Sequence, residues 1–346
     1  MRQLVLKDGR TISDNEKPYI IAEVNSSHNG DVDVAKKMID VASTAGCDCV
    51  KFQSWTTKSL YSQTYYNANP IAKRFVDKLS LTSEELKELA VYCHQKGIGF
   101  SSTPYSKEEV DFLVDYCDIP FIKIASMEAN NPDFIEYIAK KNVPIIISTG
   151  MADYKEVKKA INIIEEAGNH KIAILHCVSL YPTPIEKGNL NNIIALQEMF
   201  PDYPIGFSDH TIGDAVAVAS VILGASVLEK HITLDAKKIG MDNQMAMEPT
   251  QLKEFVRKCK SIRSSLGEKE RILQPEELKQ RENMRRSIVT IRKMKAGEII
   301  CEEDLTVKRP GIGISPERKN EIIGKKLKND IEADSIILES DLIFYR

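Results

Sequence analysis

Residues 19–53 read YIIAEVNSSHNGDVDVAKKMIDVASTAGCDCVKFQ. An apolar run of β-formers, Tyr19–Val24, gives way to a polar turn and then to an amphipathic stretch, Val34–Ala45, which stops at Gly46. A second apolar run, Asp48–Gln53, follows. The period changes from two to 3.6 and back, as in a strand, a crossover helix and a parallel strand. Outward from this unit the rhythm recurs until it has been played eight times. Further strands are expected at Ile98–Ser102, Pro120–Ala125, Pro144–Ser148, Lys171–Cys177, Pro204–Ser208 and Ser226–His231. The helices between and after them are expected at Ser83–Lys96, Lys107–Tyr116, Pro132–Lys140, Tyr154–Ala167, Leu190–Met199, Gly213–Leu223 and Thr250–Leu266. Asp, Ser, Thr or Pro opens several of these helices, and Gly46, Gly97 and Gly168 close three of them, which matches capping preferences. Eight strands over about 210 residues suit an α/β fold of the (β/α)8 TIM-barrel type, which takes roughly 250 residues with its flanks. The alternative, an open doubly wound sheet, lacks the G-x-G-x-x-G expected after its first strand.

The barrel does not use up the 346 residues. After Leu266 the chain turns to GEKERILQPEELKQRENMRRS, a charged stretch poor in apolar residues. It divides a barrel domain, 1–266, from a linker, 267–284, and a small unit, 285–346, with short strands at Ser287–Ile291, Asp304–Lys308 and Ser335–Ile337. A core of about 60 residues supplies only ~3–5 kcal/mol, so this unit is expected to dock on a barrel, its own or a partner's. Lys plus Arg number 47 against 50 Asp plus Glu. That balance leaves no basic surplus for nucleic acid or an anionic membrane. No apolar run is long enough for a signal peptide or a membrane span, and a cytoplasmic location is expected. Seven cysteines without CxxC spacing read as reduced core thiols.

Chemistry in such a barrel sits where strands run out into βα loops. The strand ends here read Glu23 with Asn25, His28 and Asn29; Lys51 and Gln53; Ser102 and Thr103; Lys123, Ser126 and Glu128; Ser148 and Thr149; Ser179 and Tyr181; Ser208, Asp209 and His210; Glu229 and His231. One polar strand end is ordinary helix capping; eight at once are not. Lys51 and Lys123 interrupt apolar strands, and a buried ammonium without a partner is costly. Three readings are open for them: structural ion pairs, an anion clamp, or a Schiff-base nucleophile. Ser126, Ser148 and Ser208 favour the clamp, because hydroxyls around lysine make a phosphate or carboxylate cradle. His210 and His231 end neighbouring strands beside Asp209 and upstream of Asp242, so their imidazoles can converge on one metal ion. His176 reads as a residue of the core or one that supports the site from behind. Glu23 is a buried carboxylate, either paired or an acid/base group.

At these residues the sequence resembles the sialic acid synthase family, which includes N-acetylneuraminate, legionaminate and pseudaminate synthases. The matching segments are IAEVNSSHNGDVDVAKKMIDVASTAGCDCVKFQ, FSSTPYS, YPTP, GFSDHT, GASVLEKHITLD and VKRPGIG, spread over nearly the whole chain. The resemblance implies a metal-dependent condensation of phosphoenolpyruvate with the aldehyde of an open-chain N-acyl hexosamine, giving a nine-carbon 2-keto acid and phosphate. It implies that His210 and His231 bind Mn2+ or Mg2+, that Lys51, Thr103, Lys123, Ser126, Ser148 and Ser208 hold phosphoenolpyruvate, and that Glu23 is the catalytic carboxylate. Gln53, Asn67, Glu128, Tyr181 and Asp242 match the sugar side. The small unit resembles the antifreeze-like SAF domain, of β-clip type, and Arg309 matches an arginine that reaches the partner's active site in a domain-swapped homodimer.

Two departures bear on the sugar. Ser179, kept among the substrate-side residues, stands where an asparagine is familiar, and Met245 and Met247 occupy a stretch where a serine is common. If those methionines face the sugar they make its pocket apolar; otherwise they pack beneath the loop. Two rival functions remain open at this level: a Schiff-base pyruvate aldolase on Lys123 or Lys51, and a non-catalytic carbohydrate-binding protein built on the C-terminal unit.

Overall fold

Alternation along each strand decides which side chains face the barrel axis. In the computed structural model, which describes residues 2–343 apart from Asn15 and Ile239, eight parallel strands run Tyr19–Glu23, Cys49–Gln53, Gly99–Thr103, Ile122–Ile124, Ile145–Ser148, Ile172–Cys177, Ile205–Asp209 and Val227–His231. Their hydrogen-bonded order is third, second, first, eighth, seventh, sixth, fifth, fourth. The first strand thus pairs with the eighth, Glu23 opposite His231, as barrel closure requires. The ladder stops between the third and fourth strands, where Ser101 Oγ donates to Phe121 O at 2.9 Å across the seam.

Outward-facing side chains, among them Ile20, Val50, Phe52, Phe100, Ile122 and Phe207, pack under the helices in the main core. Inward-facing ones at the amino ends of the strands, including Tyr19, Ile21, Phe121, Leu175 and Val227, form a second core. Leu4, Leu6 and Ile12, from a hairpin of Gln3–Val5 and Thr11–Ser13, complete it and plug that end. Each such side chain gains about 1.5–3 kcal/mol on burial. Arg10 bonds the carbonyl oxygens of Asp48 and Gly97, holding the hairpin against the strand starts.

The helices begin and end where their caps dictate. Asp31 accepts from the N–H groups of Asp33 and Val34 at the start of Val32–Ala45, and Gly46, at φ 85°, ends that helix. Capping boxes of Thr82 with Glu85 and Asp153 with Glu156 open Ser83–Gln95 and Tyr154–Glu166. Two helices lie where none was expected, Gln63–Ala68 and Pro70–Leu79, broken at the Asn69–Pro70 step. Tyr66, Val76 and Leu79 fasten them to Trp55.

Residues 268–346 form a second unit, separate from 1–267. The stretch read as a linker carries a helix, Pro275–Met284. Ser287–Thr290 pairs antiparallel with Leu305–Lys308, and Lys326–Leu327 with Leu342–Ile343. The strand expected at Ser335–Ile337 is reduced to one bridge, Ile336 to Val289. Ile288, Met294, Ile300, Leu327 and Ile337 build this unit's core; its last three residues, 344–346, lie outside the described ones. Six of the seven cysteines are buried thiols, as read, but Cys301 is exposed. Among the described residues no helix is long and apolar enough to cross a membrane.

Candidate active site

Inward-facing positions change from apolar to charged toward the carboxyl ends of the strands, and there they enclose a cavity of about 600 Å³. Fourteen of the sixteen residues given a catalytic, metal or substrate role from the sequence line it: Glu23, Lys51, Gln53, Thr103, Lys123, Ser126, Glu128, Ser148, Ser179, Tyr181, Ser208, His210, His231 and Asp242. The other two do not. Asn67 sits exposed on the helix Gln63–Ala68, accepting from Gln63 Nε2 at 2.7 Å. Its helix turns Tyr66 inward and leaves Asn67 outside. Arg309 belongs to the second unit, where it is exposed and lies 3.8 Å from Met284 Sδ.

The floor is a charge network around two buried lysines. Lys51 Nζ lies 2.6 Å from Glu23 Oε2 and 3.7 Å from Glu229 Oε2, and donates to Thr103 Oγ1 at 3.1 Å. Burial alone would depress the Lys51 pKa, but Glu229 and Glu23 outweigh it and the net shift is upward. Among the described residues no carboxylate lies at bonding distance from Lys123; its ammonium donates to Ser148 Oγ at 2.6 Å and to Ile124 O at 3.1 Å. Burial therefore prevails there and lowers its pKa, with Glu229 opposing. The two carboxylates divide. Burial raises Glu23 above the usual range despite the Lys51 charge, and Glu229 adds to the rise. For Glu229 burial also acts upward, but Lys123 and Lys51 together overcome it and hold the group low. Glu229 is thus the counter-ion of the lysines and Glu23 the group that takes up a proton more readily. Gln53 Nε2 donates to Glu23 Oε1 at 3.0 Å, and Gln53 Oε1 is itself fixed by Trp55 Nε1 at 2.9 Å and Tyr105 OH at 2.8 Å.

Across the cavity the imidazoles of His210 and His231 stand with ring centroids 5.3 Å apart. His210 Nδ1 lies 2.9 Å from Val178 O, which can only accept, so the neutral ring carries its proton on Nδ1 and its lone pair on Nε2, the atom that a second proton or a cation would take. Burial, reinforced by the His210 charge, drives the His231 pKa far down and leaves that ring neutral. For His210 burial acts downward as well, but the Cys177 contact outweighs it and the net shift is upward, so metal binding would displace a proton. His231 Nδ1 is 3.6 Å from Asp242 Oδ2, which accepts from Asn25 Nδ2. Among the described residues no group of three or more His, Cys, Asp or Glu gathers around one point. The donor set is two imidazole nitrogens on one cavity wall, which fits a divalent cation whose other positions are taken by water or substrate oxygen.

Sequence reasoning gave no role to Glu229, although its place two residues before His231 puts both on one face. Tyr105 and Cys177 also line the cavity; Cys177 was legible as an inward strand residue, whereas Tyr105 follows the third strand with no signal of its own. His176 is buried on the outer face, stacked on Phe207 with Nε2 2.8 Å from Gly188 O. Met245 and Met247 are buried and absent from the cavity wall, so the packing alternative holds for them.

The NeuB family model matches residues 38–271, and the SAF domain model residues 285–343. The chain is 37% identical over 335 residues to the N,N'-diacetyllegionaminic acid synthase of Campylobacter jejuni, covering 94% of this chain and 100% of that one. It is 36% identical over 354 residues to the human N-acetylneuraminate-9-phosphate synthase, covering 97% and 96%. A solved N-acetylneuraminic acid synthetase of Leptospira borgpetersenii, in complex with citrate, matches with a TM-score of 0.75 and 29% identity over 81% of this chain and 95% of that one.

Proposed function

The chain belongs to the NeuB family and is a carbon–carbon bond-forming synthase carrying a SAF domain, and from that premise we propose that it condenses phosphoenolpyruvate with an open-chain N-acyl hexosamine. The products are a nine-carbon 2-keto acid and phosphate. The observation that carries this reading is the presence, in one cavity, of a lysine-and-hydroxyl floor and a facing pair of imidazoles.

The ammoniums of Lys51 and Lys123, with the hydroxyls of Thr103, Ser126, Ser148 and Ser208, take the phosphate and carboxylate of phosphoenolpyruvate. Charge-assisted bonds of this kind contribute about 1.5–3 kcal/mol each. His210 and His231 would hold Mn2+ or Mg2+, which when bound would supply Lewis-acid polarisation of a carbonyl oxygen. Gln53, Glu128, Ser179, Tyr181 and Asp242 orient the sugar so that its C1 meets C3 of the enol. C3 bonds to C1 and the aldehyde oxygen becomes an alkoxide; water adds at C2, Glu23 takes one of its protons and passes it on to that alkoxide, and the C2–O bond to phosphate breaks as the second proton leaves with the phosphate. A carboxylate with a raised pKa suits that task near neutral pH.

The acceptor is read as an unphosphorylated sugar, N-acetylmannosamine or a 2,4-diacetamido-trideoxyhexose. Among the described lining residues Lys51 and Lys123 are the sole Lys or Arg, and the wall above them carries Leu60, Tyr61, Met127, Met151 and Met241. That wall offers apolar surface to acyl and deoxy groups and no second cradle for a phosphate. Phosphate release from phosphoenolpyruvate is the test, with these sugars and N-acetylmannosamine 6-phosphate as acceptors and product mass as confirmation. Preference for the 6-phosphate would overturn the sugar assignment. EDTA is expected to abolish turnover and Mn2+ to restore it; full activity after chelation would sink the metal reading.

One observation favours a second reading: the lowered pKa of Lys123 suits a Schiff-base pyruvate aldolase. Covalent trapping by borohydride with pyruvate would select it, and phosphate release would exclude it. We further propose a cytoplasmic, domain-swapped homodimer in which Arg309 contacts the N-acyl group in the partner's site.

A further inference from the structure

The proposed chemistry makes no use of a buried ion pair that adjoins both imidazoles. Asp209 and Lys230 stand opposite each other on the seventh and eighth strands, with Asp209 Oδ2 2.6 Å from Lys230 Nζ and both side chains 1% exposed. Phe207 and Leu228, two residues earlier on the same strands, belong to the apolar core under the helices. The ammonium also donates to Thr211 O at 2.5 Å. Thr211 returns two bonds to the carboxylate, from N–H to Oδ1 at 2.8 Å and from Oγ1 to Oδ2 at 3.1 Å. One ammonium therefore grips the residues on both sides of His210 and belongs to the residue that precedes His231. Strand alternation sends the ion pair to the outer face and the two imidazoles to the cavity.

Stability is a poor explanation for the pair. Desolvation of two buried charges roughly cancels their attraction, and replacing such a pair with apolar groups is commonly neutral. We propose that Asp209 and Lys230 are positioning residues: by clamping the ends of the seventh and eighth strands they fix the spacing of the His210 and His231 imidazoles, and so set the affinity of the site for a divalent cation. The proposal rests on the metal reading above.

The test uses the full-length chain and free Mn2+ measured by electron paramagnetic resonance, beside thermal unfolding in metal-free buffer. Asp209→Asn/Lys230→Met removes both charges together and leaves neither unpaired. The expected result is a folded protein with an unfolding midpoint within a few degrees of wild type and a Mn2+ Kd raised roughly 10- to 100-fold, the range seen when the groups that orient metal ligands are lost. If that double variant does not fold, Asp209→Asn, isosteric and still able to accept from Thr211 N–H, replaces it with the same expected direction. A folded variant with wild-type affinity overturns the proposal, and loss of folding in both variants does so too, by assigning the pair to stability. If wild type takes up no Mn2+, or His210→Ala and His231→Ala take it up undiminished, the metal reading fails and this proposal goes with it.

Discussion

Lys123 donates to the Ser148 hydroxyl and the Ile124 carbonyl and touches no carboxylate among the described residues, so it keeps a donor for an anion, whose arrival would favour the charged form that burial opposes. Lys123→Met is expected to raise the KM for phosphoenolpyruvate about 10- to 100-fold, the equivalent of one charge-assisted bond, with a smaller change in kcat. A collapse of kcat at unchanged KM would point to the Schiff-base reading. His28 offers a test of a different kind. Burial pushes its pKa down from 6.5 to about 4, overriding the pull of Asp31 and Glu85, and its Nδ1 accepts from Gly30 N–H at 3.0 Å. The native ring stays neutral while the unfolded one gains a proton below about pH 6.5, so stability falls as pH drops toward 4, by roughly 3 kcal/mol from this group. Urea midpoints between pH 7.5 and 4.5 should show the loss, and His28→Asn, whose Oδ1 can take the same N–H, should flatten it; an unchanged slope would contradict the assignment. At this scale the strand-end residues were legible because a period of two fixes their direction. Glu229 was not given its role, because a sequence does not say which of two carboxylates near a lysine keeps the charge. Met245 and Met247 stayed open between facing the sugar and packing beneath the loop, because a loop's side chains have no period to follow.

The loop that joins the first strand to Val32–Ala45 is tied to the helix Pro70–Leu79 by a close backbone approach. Gly30 has φ 76°, and a Cβ there would collide with the carbonyl oxygen of Lys78. Gly30→Ala is expected to cost at least about 1–3 kcal/mol through backbone strain alone, visible as a lower thermal midpoint. A variant as stable as wild type would mean that the helix yields. The barrel elements were legible to within a few residues because apolar runs, caps and glycines agree on their limits. The helices at 63–79 were not, since their tyrosines and the Asn69–Pro70 step resemble loop chemistry. The amino-terminal hairpin escaped because strands of three residues are too short to display alternation.

At the scale of the whole molecule, the change in composition after Leu266 announced a second unit, but a sequence carries no direct mark of which barrel that unit serves. Co-expression of His231→Ala and Arg309→Ala chains addresses this. Random pairing in a swapped dimer should recover about one quarter of the wild-type sites, whereas independent protomers would recover none. The hairpin plug sets the last expectation. Leu4, Leu6 and Ile12 close the amino end of the barrel, so both substrates of the proposed reaction are expected to enter at the carboxyl end, with the lysine floor deepest. On the proposed chemistry traffic is then expected to be sequential, with phosphoenolpyruvate entering before the sugar and phosphate leaving after the keto acid. A sugar analogue that cannot react should accordingly inhibit uncompetitively against phosphoenolpyruvate, and a noncompetitive pattern would mean that the sugar also reaches its site in the absence of phosphoenolpyruvate.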